Sequence, residues 1–161
     1  MSGSRDTTRR ERIAASGVAT GRGDDGTTGL LYGGRIPKDD VRTEAYGSVD
    51  EAVAMLGLAR ATLGELARSG SMPDPFGELS NLILRFQREL FVVGAELAAN
   101  PDARDRLRDG VTRVDESMLV GVEEALAAAE ARIVMPTEFV VPGESRLSAE
   151  LEVARTILRR A

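Results

Sequence analysis

The chain has 161 residues, 42% of them hydrophobic, a size and content that suit one compact domain with one core. It has no cysteine and no histidine. Disulfides, thiolate or imidazole metal sites, a cysteine nucleophile and a Ser-His-Asp triad are therefore excluded, leaving carboxylates, hydroxyls, arginines, backbone amides and oxygen-bound ions such as Mg²⁺ for any chemistry.

The net charge of −5 argues against a nucleic-acid surface, because a phosphate backbone is held by a basic stripe. A small anionic ligand stays compatible with it. No apolar run approaches the roughly 20 residues that span a bilayer, and the N-terminus has no apolar signal core. The expectation is a soluble, cytoplasmic protein without a membrane partner. Residues 1–19 are polar, arginine-rich and aperiodic, and read as a disordered tail.

Thr20 to Gly34, "TGRGDDGTTGLLYGG", holds six glycines, four Thr or Arg side chains and two adjacent aspartates. Glycines let backbone N–H groups converge on an anion, and Thr and Arg side chains can complete such a cradle. The segment lacks the G-x-x-x-x-G-K-[ST] pattern, and no strand pattern precedes it, so it is not a P-loop. On composition alone a flexible loop is the commoner meaning of such clusters.

Four helical patterns follow. Ala45, Val49, Ala52, Leu56, Ala59, Leu63 and Leu66 alternate spacings of three and four, the seam of a bundle helix. Leu79, Ile83, Phe86, Leu90, Val93 and Leu97 repeat it between the breaker "SGSMPDP" and Asn100-Pro101. A less regular third pattern uses Val114, Met118, Val122, Ala125 and Ala129; the fourth uses Leu147, Leu151, Ala154 and Leu158. Between the last two, "IVMPTEFVVPGES" predicts an extended crossover, with Ser145 placed to cap the final helix. The fold class expected is all-α, an up-down bundle whose four helices share one core.

The motifs "TGRGDDGTTGLLYGGRIPKDDVRTEAYGSVDEA", "FQRELFVVGAELA", "FVVPGES" and "EVARTILRRA", in this order from Thr20 to Ala161, resemble the ATP:cob(I)alamin adenosyltransferases of the diol-utilisation type. The resemblance implies a four- or five-helix bundle over residues 20–161, assembled as a homotrimer, with ATP and cobalamin bound where subunits meet. It implies transfer of the 5′-deoxyadenosyl group of ATP to reduced cobalamin with release of triphosphate, Mg²⁺ accompanying the nucleotide, and an adenosylcobalamin-dependent enzyme as a further partner.

Residue by residue, it implies that Thr20, Arg22, Gly23, Asp24, Gly26 and Thr28 form the triphosphate cradle, and that Lys38, the only lysine in the chain, lies near the phosphates. Asp50 would pair with Arg155 from the last helix, Arg159 would contact ATP, and Phe139 would occupy the lower face of the corrin in place of the axial ligand. These three charged residues are the expected catalytic set. No resident metal site is expected from protein side chains.

The chain departs from the family pattern at Gly21, where Lys or Arg is usual, at Val53, where an amide is lost, and at Glu152, where a histidine is common. The pattern also runs past Ala161, which implies a domain cut short at its C-terminal end. Two further readings stay open: an impaired relative that binds ATP or cobalamin as a carrier or regulator, and a bundle that serves only in assembly.

Overall fold

The computed structural model describes Ser16, residues 19–70 and residues 76–161; the expected N-terminal tail lies almost wholly outside them. Chain order is strand β1 (Thr27–Gly29), strand β2 (Arg35–Pro37), helix α1 (Val41–Arg68), helix α2 (Phe76–Leu97), a 3₁₀ segment (Pro101–Arg106), helix α3 (Glu116–Glu130) and helix α4 (Arg146–Arg160). The architecture is all-α with one small hairpin at its N-terminal end.

Helices α1, α3 and α4 start where the sequence supplies an acceptor for the orphan amides of the first turn. Asp40 caps α1 through the Arg42 amide, Asp115 caps α3 through the Met118 amide, and Ser145 builds a reciprocal capping box with Ser148 on α4. Between Ala131 and Glu144 the described chain has no helix or strand, and every residue of the crossover from Arg132 to Glu144 is exposed.

Side-chain contacts fix the directions of the helices. Gln87 on α2 donates to the Val53 carbonyl of α1 at 2.9 Å and accepts from Arg60 at 3.0 Å, while Gly94 faces Val49, so α1 and α2 run antiparallel. On another side of α1, Thr62 donates to Glu150 of α4 at 3.0 Å, and Arg160 pairs with Glu51. That register makes α4 antiparallel to α1 as well.

The core forms where these three helices meet: Leu56 and Leu63 of α1, Ile83 of α2 and Ala154 of α4, flanked by Leu79, Phe86, Leu90, Leu147 and Leu151. The expected four-helix core is corrected here. Helix α3 buries none of its residues and is tied to α2 through an Arg132–Glu78 ion pair, the Arg85 guanidinium packed on Gly121, and the Val114 amide on Glu96. Its spacing puts small Ala125 and Ala129 where a core helix would present bulk, so it gains little by close approach. An apolar groove of about 530 Å³, lined by residues including Phe86, Met118, Val122 and Leu158, is left beside it.

The glycine-rich segment is more ordered than its composition implied. β1 and β2 pair antiparallel with Thr27 opposite Pro37, Thr28 opposite Ile36 and Gly29 opposite Arg35. The hairpin tip docks on the end of α2: the Leu31 amide donates to Ala98, the Asn100 amide donates to Leu31, both at 2.9 Å. Tyr32 takes a positive φ of 69° there. It is held by the Arg106 guanidinium 4.5 Å from its ring centroid and by a 3.2 Å hydroxyl contact with Thr112, contacts that offset a conformation unfavourable for a bulky residue.

Candidate active site

The expected site residues fall into two groups. The first is the hairpin and the start of α1. Here the turn between Thr20 and Thr28 folds back so that the Lys38 side chain lies against Gly23: a Cβ at Gly23 would sit 3.0 Å from Lys38 Nζ and 3.0 Å from the Thr27 carbonyl oxygen. A side chain at Gly23 would require the lysine or the turn to give way by a few tenths of an ångström. Gly26 has φ +80°, and its carbonyl accepts from the Lys38 amide at 2.9 Å, which ties the turn to the segment carrying the ammonium group.

The two aspartates differ in their roles. Asp25 accepts from the Thr27 amide at 2.9 Å and from the Thr27 hydroxyl at 2.8 Å, with Arg35 3.5 Å away. These Thr27 bonds, with a smaller contribution from Arg35, hold the Asp25 carboxyl below its ordinary value near 3.8. Asp24 is exposed, and its side chain has no bonding partner among the described residues, leaving it open to a ligand. Thr28 lies in β1 opposite Ile36, and Thr20 accepts weakly from the Arg22 amide at 3.5 Å.

Asp50 is exposed on α1 although Val49 and Ala52 beside it are buried. It lines a cavity of about 470 Å³ with Leu31 of the hairpin tip and Phe91 and Gly94 of α2. The cavity is otherwise apolar.

The second group is the crossover and α4. Arg155 lines a groove of about 350 Å³ with Val140, Val141, Pro142, Gly143 and Glu152, directly after Phe139, whose side chain is fully exposed. Arg159 lies one turn further along α4 and is also exposed. Val134 and Val141 share this exposure, so the crossover presents an apolar strip to whatever approaches it.

Within the chain Asp50 and Arg155 do not pair. Arg155 bonds Glu152 on its own helix, at 2.8 Å from Nε and 2.7 Å from Nη2, and Asp50 has no ion-pair partner among the described residues. The register set by Thr62–Glu150 and Glu51–Arg160 puts Arg155 level with Leu56, roughly 9 Å of helix rise from Asp50. The cavity at Asp50 and the crossover groove at Arg155 share no lining residue. The fold thus brings Lys38 to the glycine turn, Asp50 to the hairpin tip and Arg155 to the crossover, but keeps the two groups apart.

Arg35 and Asp25, absent from the expected site, prove to organise it. The "DGT" sequence that forms the Asp25–Thr27 turn was the available signal for Asp25; two of the four bonds of Arg35 run to backbone carbonyls, which leave no mark in a sequence. No three metal-ligating side chains cluster among the described residues, so a cation here would draw most of its ligands from phosphate and water. Nor is any helix among them long and apolar enough to cross a membrane.

Known proteins are similar to this chain in sequence and in fold. The family described as Cobalamin adenosyltransferase matches residues 18–161. The chain is 38% identical over 143 residues to a corrinoid adenosyltransferase of Citrobacter freundii, covering 89% of this chain and 73% of that protein. It is 36% identical over 142 residues to one of Bacillus subtilis, covering 88% and 66%. Among solved structures, a variant PduO-type ATP:corrinoid adenosyltransferase from Lactobacillus reuteri, complexed with cobalamin and ATP, superposes with a TM-score of 0.71 at 29% identity, covering 89% of this chain and 70% of that one. The chain therefore spans about two thirds to three quarters of the length of these relatives. With its bundle, hairpin and crossover in the matched region, this chain belongs to the cobalamin adenosyltransferase family.

Proposed function

We propose that this protein transfers the 5′-deoxyadenosyl group of ATP to cob(I)alamin, giving adenosylcobalamin and triphosphate. The observation that carries the reading is the packing of the Lys38 side chain on Gly23 within the hairpin turn, a cation without an ion-pair partner among the described residues, placed on a glycine-rich turn in a chain of this family. Reduced cobalamin supplies the nucleophile for C5′ of the ribose, and triphosphate is the leaving group. The chain's contribution is alignment and charge: Gly23, Gly26 and Thr28 shape the turn, Lys38 and Arg22 stabilise the charge gathering on triphosphate, and Thr20 and Asp24 border the nucleotide. Mg²⁺ would accompany ATP, and Asp24, whose side chain has no bonding partner among the described residues, is the carboxylate that would be open to it.

Phe139 and the apolar crossover form the corrin-facing surface in this proposal. A fully exposed phenylalanine is an unfavourable feature unless something covers it, and a planar macrocycle would do so while Phe139 keeps polar ligands from its lower face. Arg155 and Arg159, on the exposed side of α4, bind the nucleotide from the second half of the site.

The separation of Asp50 from Arg155 supports a site shared between copies of the chain. In a closed ring of subunits, head-to-tail contact brings two different surfaces together, so Asp50 of one copy can meet Arg155 of the next; a homotrimer is the assembly this reading adopts. Co-expression tests it. Asp50→Asn and Arg155→Ala are each expected to lose most adenosyl transfer, while oligomers mixed from the two variants regain activity because some interfaces carry both native residues. Failure of the mixed oligomers to recover any activity sinks the shared-site arrangement.

Glu152 favours a slower enzyme as a second reading, because it engages Arg155 within its own helix and competes with any other acceptor. Glu152→Gln is then expected to raise turnover, and an unchanged or lower rate removes this reading.

A further inference from the structure

The Arg35 side chain has more bonds than any other in the hairpin, and all of them fall on the turn that carries Gly23. Its Nε donates to the Thr27 hydroxyl at 2.8 Å; its Nη2 donates to the Arg22 carbonyl at 2.6 Å and the Thr27 carbonyl at 3.2 Å, and lies 3.5 Å from Asp25 Oδ1. The acceptors bracket residues 22–27 from both ends. One of them, the Thr27 carbonyl oxygen, is itself an atom that closes the space over Gly23 opposite Lys38. The Thr27 hydroxyl that Arg35 contacts also donates to Asp25, so arginine, threonine and aspartate form a closed triangle under the turn.

Charge divides in the same way. Arg35 and Asp25 neutralise each other, whereas Lys38 and Asp24 have no ion-pair partner among the described residues. The fixed pair builds the turn and the unpaired groups face the ligand.

We propose that Arg35 is a positioning residue for the nucleotide: it clamps the Arg22–Thr27 turn into its anion-binding shape before ATP arrives. This rests on the adenosyl-transfer reading. A guanidinium is suited to the task because its rigid fork reaches several acceptors from one plane, which an ammonium group cannot reproduce. Holding the turn in advance removes an ordering cost that binding would otherwise carry.

The experiment compares the full chain with Arg35→Lys, Asp25→Asn and the double variant, by ATP titration calorimetry, by adenosyl-transfer kinetics and by amide hydrogen exchange without ligand. The clamp predicts roughly tenfold weaker ATP binding in Arg35→Lys, read as a raised KM for ATP with kcat largely kept, since tenfold in affinity is about 1.4 kcal/mol. It predicts faster exchange at residues 22–28 in the ATP-free variant, unchanged cobalamin binding, and a double variant little worse than Arg35→Lys alone. A residue that only contacts phosphate leaves exchange in the ATP-free chain untouched and adds its loss to that of Asp25→Asn; that outcome overturns the clamp. ATP binding equal to wild type in Arg35→Lys overturns it too. A wild-type chain that takes up no ATP overturns the adenosyl-transfer reading itself, and any nucleotide role for Arg35 with it.

Discussion

Gly23 shows how one missing atom shapes the turn proposed to hold the nucleotide. A β-carbon there would press on the Lys38 ammonium and the Thr27 carbonyl at 3.0 Å each; the lysine can swing away, but the carbonyl belongs to a paired strand. Gly23→Ala is therefore expected to weaken ATP binding by displacing Lys38 while leaving the melting temperature close to wild type, since the turn lies outside the helical core. Calorimetry and thermal unfolding on the same sample check both halves. Asp25 carries a pH prediction. Its folded-state pKa is depressed by the Thr27 bonds, so its contribution to the turn is present above the ordinary value near 3.8 and is lost as pH falls through the lower folded value. The Thr27 amide resonance should titrate with its midpoint below that ordinary value. A midpoint at or above it would contradict the assigned bonds. At this scale the sequence revealed the glycines and the lone lysine through their motif. It could not reveal that Asp50 and Arg155 stand apart within one chain, because the separation depends on the register of α4 along α1.

At the scale of elements, stability resides in α1, α2 and α4. Leu63 is fully buried among them, so Leu63→Ala should cost about 2–5 kcal/mol in urea unfolding. Leu126 on α3 is exposed, and Leu126→Ala should change stability by no more than about 0.5 kcal/mol in the isolated chain. Similar losses at the two positions would mean that α3 shares the core after all. Thr62 and Glu150 supply the polar pin of the α1–α4 contact: both are buried, and one carboxylate oxygen of Glu150 already lacks a partner. Thr62→Val should cost about 0.5–1.5 kcal/mol, because the other oxygen loses the buried hydroxyl donor but keeps its 2.8 Å bond from Arg146. The three-four spacing made α1 and α2 legible along almost their full length. It marked α3 as a helix but overstated its share in the core, since Ala125 and Ala129 satisfy the pattern without supplying the apolar area that binds a helix to a core. The β1–β2 hairpin was hidden for a different reason: its strands have three residues each, too short for alternation to show.

The whole molecule presents an incomplete surface. Phe139, Val134 and Val141 project from the crossover, and among the described residues Asp50 has no ion-pair partner and Arg155 pairs only with Glu152 of its own helix. All of these are accounted for if the working unit is an oligomer with ATP and corrin seated between copies. Light scattering at micromolar concentration is expected to give a trimer, and a strictly monomeric protein would remove the shared site. The most direct test of the central claim is the reaction itself: the full chain is mixed with ATP and chemically reduced cobalamin, the visible spectrum is followed, and the phosphate products are separated. The account predicts adenosylcobalamin and intact triphosphate in equimolar amounts. A chain that binds neither ATP nor cobalamin, or that consumes ATP without forming the cobalt–carbon product, contradicts it.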